Sequence, residues 1–277
     1  MLKHWLHETK LTQSHKLLSF NFVDMEDSSH LLNDIISLHN KLHSEGYLLL
    51  ENFLPKKKVL KARKTILKLT NNNPQDLLNR QDIYNHYSVL EVLESKKIFK
   101  LCQKLFTINC VPRTEIYNEG KKTELPVKYS RYPNVFTFPY KWLRAVEQGK
   151  YTGLHLDRYY LNKGSDNIVT FWIPLGNVSK ENGAMSVIPN KFITNAIKIR
   201  IKNLLEKKLE DGNGESDGWL DESELEGVTF VSHDFKMGDV VVLTLDVLHK
   251  TLSNNLKEKR ISCDTRWQPI NDKYPPW

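Results

Sequence analysis

Apolar residues near the start of the chain recur at the spacing of a helix with one buried face. This pattern predicts helices over 28–45, 55–69 and 89–105, and Gly46 stands where the first of them would end. Between the first two, Tyr47-Leu48-Leu49-Leu50 is a continuous apolar run with the length of a buried strand. Residues 1–110 are therefore predicted to be a mainly helical N-terminal elaboration that contains one early strand.

After residue 112 the pattern changes to short runs of branched and aromatic residues separated by Gly, Asn and Pro. Such runs cover 142–146, 153–157, 167–173, 184–188, 228–231, 239–245 and 260–267. Closely spaced short strands of this kind are typical of a sandwich or barrel. A helix is predicted over 192–209, followed by an exposed acidic insertion over 210–226. We expect one domain over 1–277, with its β core over 111–277.

Composition narrows the class of protein. A hydrophobic fraction of 40% with six Trp is enough to form a core, and a charged fraction of 26% is ordinary for a globular protein. The net charge of +7 attracts anionic partners without choosing among nucleotides, acyl thioesters and small carboxylates. Because the lysines are scattered rather than gathered in a basic patch, nucleic-acid binding is not expected.

The cysteines and the chain termini bear on location. Cys102, Cys110 and Cys263 are odd in number and lack the spacing of a zinc site, so a reducing compartment is favoured. The N-terminal residues do not form a signal peptide, and no apolar run approaches the roughly 20 residues of a membrane span. The expected location is the cytoplasm.

Three residues form a candidate metal site. In the predicted strand 153–157, His155 and Asp157 share one face because strand side chains alternate. A hydrophobic strand over 239–248 leads to His249, whereas His233 is assigned to a loop. Two imidazoles and one carboxylate occupy one face of an octahedron and suit ferrous iron, with positions left for a chelating cosubstrate and oxygen.

A strand that begins eleven positions after His249 strengthens the hypothesis of an iron site that also binds a cosubstrate. Arg260, Ser262, Asp264 and Arg266 share one face of this strand. A guanidinium holds a carboxylate through two parallel hydrogen bonds, and a neighbouring hydroxyl adds a third. Arg266 lies roughly 20 Å from Arg260 along an extended strand. We therefore expect Arg266 to pair with Asp264 or with another inward-facing acid.

Together these motifs resemble the phytanoyl-CoA dioxygenase family, a branch of the double-stranded β-helix oxygenases. The resemblance covers roughly half of the chain and includes GSDNIVTFWIPLG at 164–176, ENGAMSVIP at 181–189 and FKMGDV at 235–240. It implies a mainly β fold with flanking helices around a double-stranded β-helix (jelly-roll, cupin-like) core. It also implies a set of site residues: His155, Asp157 and His249 as Fe(II) ligands, Arg260 with Ser262 as the 2-oxoglutarate anchor, and Trp172 and Thr170 at the cosubstrate pocket.

The resemblance implies a dioxygenase that uses Fe(II), 2-oxoglutarate and O2 to oxidise a C–H bond of a small molecule, with succinate as coproduct. Asp157 is the carboxylate that iron halogenases of related architecture lack, so hydroxylation or a related oxidation is favoured over chlorination. Arg144 and Tyr160 are candidate substrate contacts. Arg144 is equally compatible with a salt bridge at a sheet edge, and Tyr160 with core packing. An anionic substrate is one candidate.

Two other functions stay open at this point. The spacing Arg260-x-Ser262-x-Asp264-x-Arg266 is similar to the arginine-bracketed strand of nucleic-acid demethylases in the same superfamily. A non-catalytic jelly-roll binding module is the second alternative. The pattern does not indicate the oxidised substrate, the oligomeric state or the role of 210–226.

Overall fold

The computed structural model describes residues 21–107, 115–118, 121–124, 134–161, 164–210, 218–225 and 227–273. The helices within this part are α1 (Ile35–Glu45), α2 (Lys56–Leu69), α3 (Gln81–Tyr84), α4 (Tyr87–Leu93), α5 (Lys96–Thr107), α6 (Asp157–Leu161) and α7 (Asn195–Glu210). The strands are β1 (Asn21–Asp24), β2 (Tyr47–Leu50), β3 (Glu115–Asn118), β4 (Lys121–Glu124), β5 (Val135–Thr137), β6 (Trp142–Val146), β7 (Val169–Pro174), β8 (Met185–Ile188), β9 (Thr229–Ser232), β10 (Val240–Thr244), β11 (Leu248–Thr251) and β12 (Arg260–Pro269).

Two open sheets with ten strands in total form the β core. The larger sheet has the order β2-β10-β7-β12-β5, with β6 also paired to β12. The smaller sheet has the order β1-β9-β8-β11, and β3 and β4 form a separate hairpin-like pair. Strands that are neighbours in space are mostly distant in sequence, as in a jelly roll. The predicted fold class, mainly β with flanking helices and a jelly-roll core, is confirmed.

The two faces of the larger sheet pack against different layers. Phe171, Ile261 and Cys263 face a hydrophobic core shared with α1, α2, α4 and α5. On the opposite face of the larger sheet, Trp172 and Val241 pack toward the smaller sheet. Because side chains alternate along a strand, the even-numbered residues of β12 point into the space between the sheets. That space contains the candidate site.

The first predicted helix is divided in two. A 3-10 turn over Ser29–Asn33 precedes α1, and Asp34 between them accepts a hydrogen bond from the Ser37 backbone N–H at 3.1 Å. This N-cap starts α1 at Ile35. Gly46 ends the helix, as predicted. Its φ is +84°, and a Cβ there would lie 2.7 Å from the Val247 side chain.

The predicted helix over 89–105 is likewise two helices, α4 and α5, with Ser95 between them. The Ser95 hydroxyl accepts from the Ile98 backbone N–H at 3.3 Å and so caps the second helix. The N-terminal part also contributes two strands, since β1 pairs with β9 and β2 pairs with β10. The domain boundary at residue 110 stays a prediction, although this pairing brings 47–50 into the larger sheet.

Membrane insertion can be addressed for the helices named above. In the described part of the chain, no helix combines the length and the apolar character needed to cross a bilayer.

Candidate active site

A single backbone pairing brings the two candidate histidine ligands together. The His155 N–H donates to the His249 carbonyl at 3.0 Å, and the His249 N–H donates to the His155 carbonyl at 3.1 Å. Residues that exchange both hydrogen bonds in an antiparallel pair project their side chains to the same side. The two imidazole rings accordingly lie with their centroids 4.2 Å apart.

Asp157 reaches the same point by a different local geometry from the one predicted. The expected strand over 153–157 is wrong: His155 forms only an isolated bridge, and Asp157 is the first residue of α6. Its Oδ1 atom lies 3.9 Å from His155 Nε2. One ligand atom from each of His155, Asp157 and His249 falls within 4.8 Å of the others. The three side chains therefore form a group that fits around one metal ion.

Backbone carbonyls orient both imidazoles. His155 Nδ1 lies 2.7 Å from the Gly153 carbonyl oxygen, and His249 Nδ1 lies 3.0 Å from the Val247 carbonyl oxygen. A carbonyl only accepts, so each Nδ1 carries the hydrogen and each Nε2 keeps its lone pair for a metal. Burial, reinforced by His249, lowers the pKa of His155 to about 3. The ring is neutral at physiological pH, as a metal ligand must be.

Two donors hold the Asp157 carboxylate. The Thr170 hydroxyl donates to Oδ2 at 2.5 Å, and Arg266 Nη2 donates to Oδ1 at 2.8 Å. Burial by itself raises the pKa of Asp157, but the positive charge of Arg266 and the other neighbours outweigh it and hold the pKa below its usual range. Asp157 is therefore a buried anion. Arg266 pairs with an inward-facing acid, as expected, and that acid is Asp157 rather than Asp264.

A small cavity lies beside the triad. Its walls come from β6, β7, β8, β11 and β12 and include Arg144, His155, Trp172, Met185, His249, Arg260, Ser262 and Asp264. Both histidines face this space, so a metal held between them would be open to small molecules there. The predicted cosubstrate residues Trp172, Arg260 and Ser262 line the cavity, whereas Thr170 is not among its lining residues.

Arg260 is buried in this cavity, and no carboxylate of the described residues forms a salt bridge with it. Its side chain is only 1% exposed, and among the described residues its Nε and Nη1 atoms have no hydrogen-bond partner. Burial, and then repulsion from Arg144, lower the pKa of Arg260 to about 9 against the attraction of Asp264. Buried donors of this kind are nearly always paired in native proteins. The site therefore suits a carboxylate that takes up the free edge of the guanidinium, which is the chemistry of the distal end of 2-oxoglutarate.

Arg144 forms the salt bridge that was considered for it and also lines the cavity. It lies on β6, whose described pairing is with β12 alone, and its Nη1 atom hydrogen bonds to Asp264 Oδ2. Its side chain is also 25% exposed and lines the cavity opposite Ser262. Tyr160 stands edge-on to the His155 ring at 5.8 Å, with part of its side chain against a small hydrophobic cluster. His233 follows β9 in a loop, as predicted.

A sequence model of the family described as "Phytanoyl-CoA dioxygenase (PhyH)" matches residues 42–261. This range spans most of the chain and includes every residue of the triad and Arg260. The chain belongs to the phytanoyl-CoA dioxygenase family. It is an iron- and 2-oxoglutarate-dependent oxygenase-type enzyme, and the His155, Asp157 and His249 group is its metal site.

Solved structures similar to this phytanoyl-CoA dioxygenase family member share its fold at low sequence identity. The epimerase SnoN, crystallised with Fe3+, alpha ketoglutarate and nogalamycin RO, is 14% identical, with a TM-score of 0.59 over 88% of this chain and 87% of that one. AviO1 from Streptomyces viridochromogenes Tue57 is 13% identical, with a TM-score of 0.56 over 88% and 98%. The carbocyclase SnoK from nogalamycin biosynthesis is 15% identical, with a TM-score of 0.54 over 87% and 86%. No curated protein sequence matches the chain.

The described end of the 210–226 insertion lies against the site of this family member, although the whole insertion was predicted to be exposed. The Leu220 N–H donates to the Leu154 carbonyl at 2.7 Å, and the Trp219 ring covers Gly153, where a Cβ would approach it to 2.3 Å. Leu220 is itself buried. Trp219 and Leu220 are large apolar residues in an acidic stretch, which is the signal that predicts this packing. Residues 211–217 and 226 lie outside the described residues.

Proposed function

We propose that this enzyme oxidises a C–H bond of a small organic substrate, most simply by hydroxylation, coupled to decarboxylation of 2-oxoglutarate. One oxygen atom of O2 enters the alcohol, the other enters succinate, and carbon dioxide leaves. The observation that carries this proposal is the buried Arg260 guanidinium, which lines a cavity shared with both histidines and whose Nε and Nη1 atoms have no hydrogen-bond partner among the described residues. A site with a metal triad alone would not need a buried cation with free donors at this place.

Each site residue has a proposed task. His155, Asp157 and His249 would hold Fe(II), with a neutral His155 ring and an anionic Asp157 carboxylate already in their ligating forms. Arg260 would bind the distal carboxylate of 2-oxoglutarate through two parallel hydrogen bonds, and the Ser262 hydroxyl would add a third. Bound together, iron and 2-oxoglutarate supply the chemistry that activates O2 and attacks the C–H bond.

The protein around these groups controls position and water. The Arg260 guanidinium lies 5.9 Å from the centroid of the Trp172 ring, which closes one wall of the cavity. An aromatic wall excludes water from the carboxylate and strengthens its hydrogen bonds, because the local dielectric constant falls. The direction in which the substrate approaches the metal would then decide which C–H bond reacts.

The substrate is proposed to carry an anionic group. Arg144 is a partly exposed cation at this cavity, and its described carboxylate partner is Asp264. A carboxylate or phosphate on the substrate would bind the remaining donors of the Arg144 guanidinium. Tyr160, next to His155, would contact the apolar part of the same molecule.

A turnover assay tests the enzymatic proposal. Wild-type protein loaded anaerobically with Fe(II) should convert 2-oxoglutarate to succinate once oxygen is admitted. Asp157→Ala should abolish this conversion, and Arg260→Ala should raise the 2-oxoglutarate concentration it requires. Arg80→Ala is a matched control, because Arg80 pairs with Asp82 at the surface. Wild-type activity that equals the activity of Asp157→Ala would refute the proposal.

The same assay separates the two alternatives. A non-catalytic binding module would take up 2-oxoglutarate without forming succinate. A nucleic-acid demethylase would form succinate faster with methylated oligonucleotide than with small metabolites. The hydroxylase proposal expects stimulation of succinate formation by an organic acid or phosphate, with a mass gain of one oxygen atom in the product. A cytoplasmic location stays a prediction.

A further inference from the structure

Two hydrogen-bond donors on neighbouring strands hold Asp157, the proposed carboxylate ligand of iron. Arg266 on β12 and Thr170 on β7 are direct partners in the β12–β7 register. Thr170 donates to Asp157 Oδ2 and Arg266 donates to Asp157 Oδ1, so one residue pair engages both carboxylate oxygens. Two donors on separate oxygens prevent the carboxylate from rotating about its Cβ–Cγ bond.

Arg266 is also held by groups other than the carboxylate. The carbon at the centre of its guanidinium lies 3.8 Å from the centroid of the Trp142 ring, a close cation–π contact. Its backbone carbonyl accepts from the Phe138 N–H at 3.1 Å and from the Thr137 hydroxyl at 3.1 Å. The strand and the Trp142 ring therefore help to hold the guanidinium beside Asp157.

The pair of Arg266 with Asp157 lies in a dry environment. Arg266 is 3% exposed and Asp157 is 1% exposed. Within the described residues, the Nε and Nη1 atoms of Arg266 have no hydrogen-bond partner, and its described carboxylate partner is Asp157. The described side-chain hydrogen bond of Arg266 therefore goes to the Asp157 carboxylate.

Arg266 also lies apart from the groups that would meet small molecules. The cavity is lined by Arg260, Ser262 and Asp264 from the same strand, but Arg266 is not among its lining residues. An effect of Arg266 on the site must therefore pass through Asp157. This separates its role from that of Arg260, which faces the cavity directly.

We infer that Arg266, together with Thr170, is a positioning residue that orients the Asp157 carboxylate for the metal and thereby sets metal affinity. This inference rests on the proposed role of Asp157 as an iron ligand. Loss of the partners that orient a metal ligand typically weakens metal binding about 10–100-fold. The positive charge of Arg266 also repels a divalent metal, and we expect the loss of orientation to outweigh the relief of that repulsion.

Metal titration of the apoprotein in the absence of 2-oxoglutarate tests the inference without any turnover. Co(II) binding is followed by calorimetry and by the visible absorption of the bound ion, which reports its coordination geometry. Arg266→Gln should raise the dissociation constant about 10–100-fold and alter the absorption spectrum. Thr170→Val should change both in the same direction by a smaller factor. Arg63→Gln is the control. Arg63 also pairs with one carboxylate, that of Glu258, but it lies on α2 and contacts no residue of the triad in the described hydrogen bonds and salt bridges.

Thermal unfolding of each apoprotein separates positioning from folding. A folded Arg266→Gln protein with the dissociation constant and spectrum of wild type, or with a lower dissociation constant, would overturn the inference. If Arg266→Gln does not fold, Arg266→Lys and Thr170→Val decide: wild-type binding and spectra in both overturn it. Asp157→Ala distinguishes failure of the proposed ligand set from failure of the positioning role. Undiminished Co(II) binding in Asp157→Ala would refute the proposed ligand set, whereas its loss with wild-type binding in Arg266→Gln would refute the positioning role alone.

Discussion

Replacement of Arg260 by methionine should separate cosubstrate binding from stability. Methionine fills similar volume without charge, and the replaced guanidinium is buried with two nitrogens that lack a hydrogen-bond partner in the described part of the chain. Two charge-assisted hydrogen bonds of about 1.5 kcal/mol each amount to about 3 kcal/mol, which weakens 2-oxoglutarate binding roughly 100-fold. Removing a buried cation that lacks a full partner is close to neutral for folding or stabilising, so the cosubstrate-free variant should unfold at or above the wild-type temperature.

Thermal unfolding under anaerobic conditions with Fe(II) measures both effects. A 2-oxoglutarate concentration of about 100 times its dissociation constant stabilises wild type by about 2.7 kcal/mol, or several degrees in Tm. At the same concentration the Arg260→Met protein would be half saturated and gain only about 0.4 kcal/mol. A variant that keeps the full 2-oxoglutarate shift, or that loses several kcal/mol of stability without cosubstrate, would refute the assignment of Arg260 as the anchor.

Three further predictions concern other residues. Arg144→Gln should raise KM for an anionic substrate at least about tenfold while leaving KM for 2-oxoglutarate within about twofold, because one charged hydrogen bond is lost; equal changes in both constants would contradict the separate roles. Gly153→Ala should destabilise the protein by about 1–3 kcal/mol, since the new Cβ would lie 2.3 Å from the Trp219 ring. Addition of Trp219→Ala should reduce that penalty in denaturant unfolding, and an unchanged penalty would exclude the clash as its cause. Burial, assisted by Glu45, raises the pKa of Tyr47 to about 12. The unfolded phenol ionises near pH 10, so stability should fall from about pH 10 to about pH 12, and Tyr47→Phe should flatten this decline.

The sequence predicted the elements of the fold more accurately than their ends. Short runs of branched and aromatic residues located β7, β8, β10 and β12, because each of these strands is buried on both faces over several residues. The break between α4 and α5 escaped detection because the apolar spacing continues across Ser95, which caps the second helix. A cap depends on one hydroxyl and one N–H, and this local contact hardly alters the hydrophobic pattern.

The candidate site shows the same division at the level of side chains. Residue type, order and spacing can be read without knowledge of the fold, and they were enough to propose His155, Asp157, His249 and Arg260. The reason given for the first pair was wrong, because Asp157 starts a helix rather than continuing a strand. The motif named residues that the structure does bring together, and their geometry comes from the bridge between His155 and His249.

By itself, the sequence determined the jelly-roll class and the family, and it was enough to propose the residues that would hold iron and 2-oxoglutarate. Only the tertiary structure decided which acid Arg266 meets, since Asp264 is two positions away along the strand and Asp157 is 109 positions away. The choice depends on the register that places Arg266 opposite Thr170. Register between distant strands is a property of the whole packed sheet, because it is set by how both faces bury their side chains together, and no local segment contains that information.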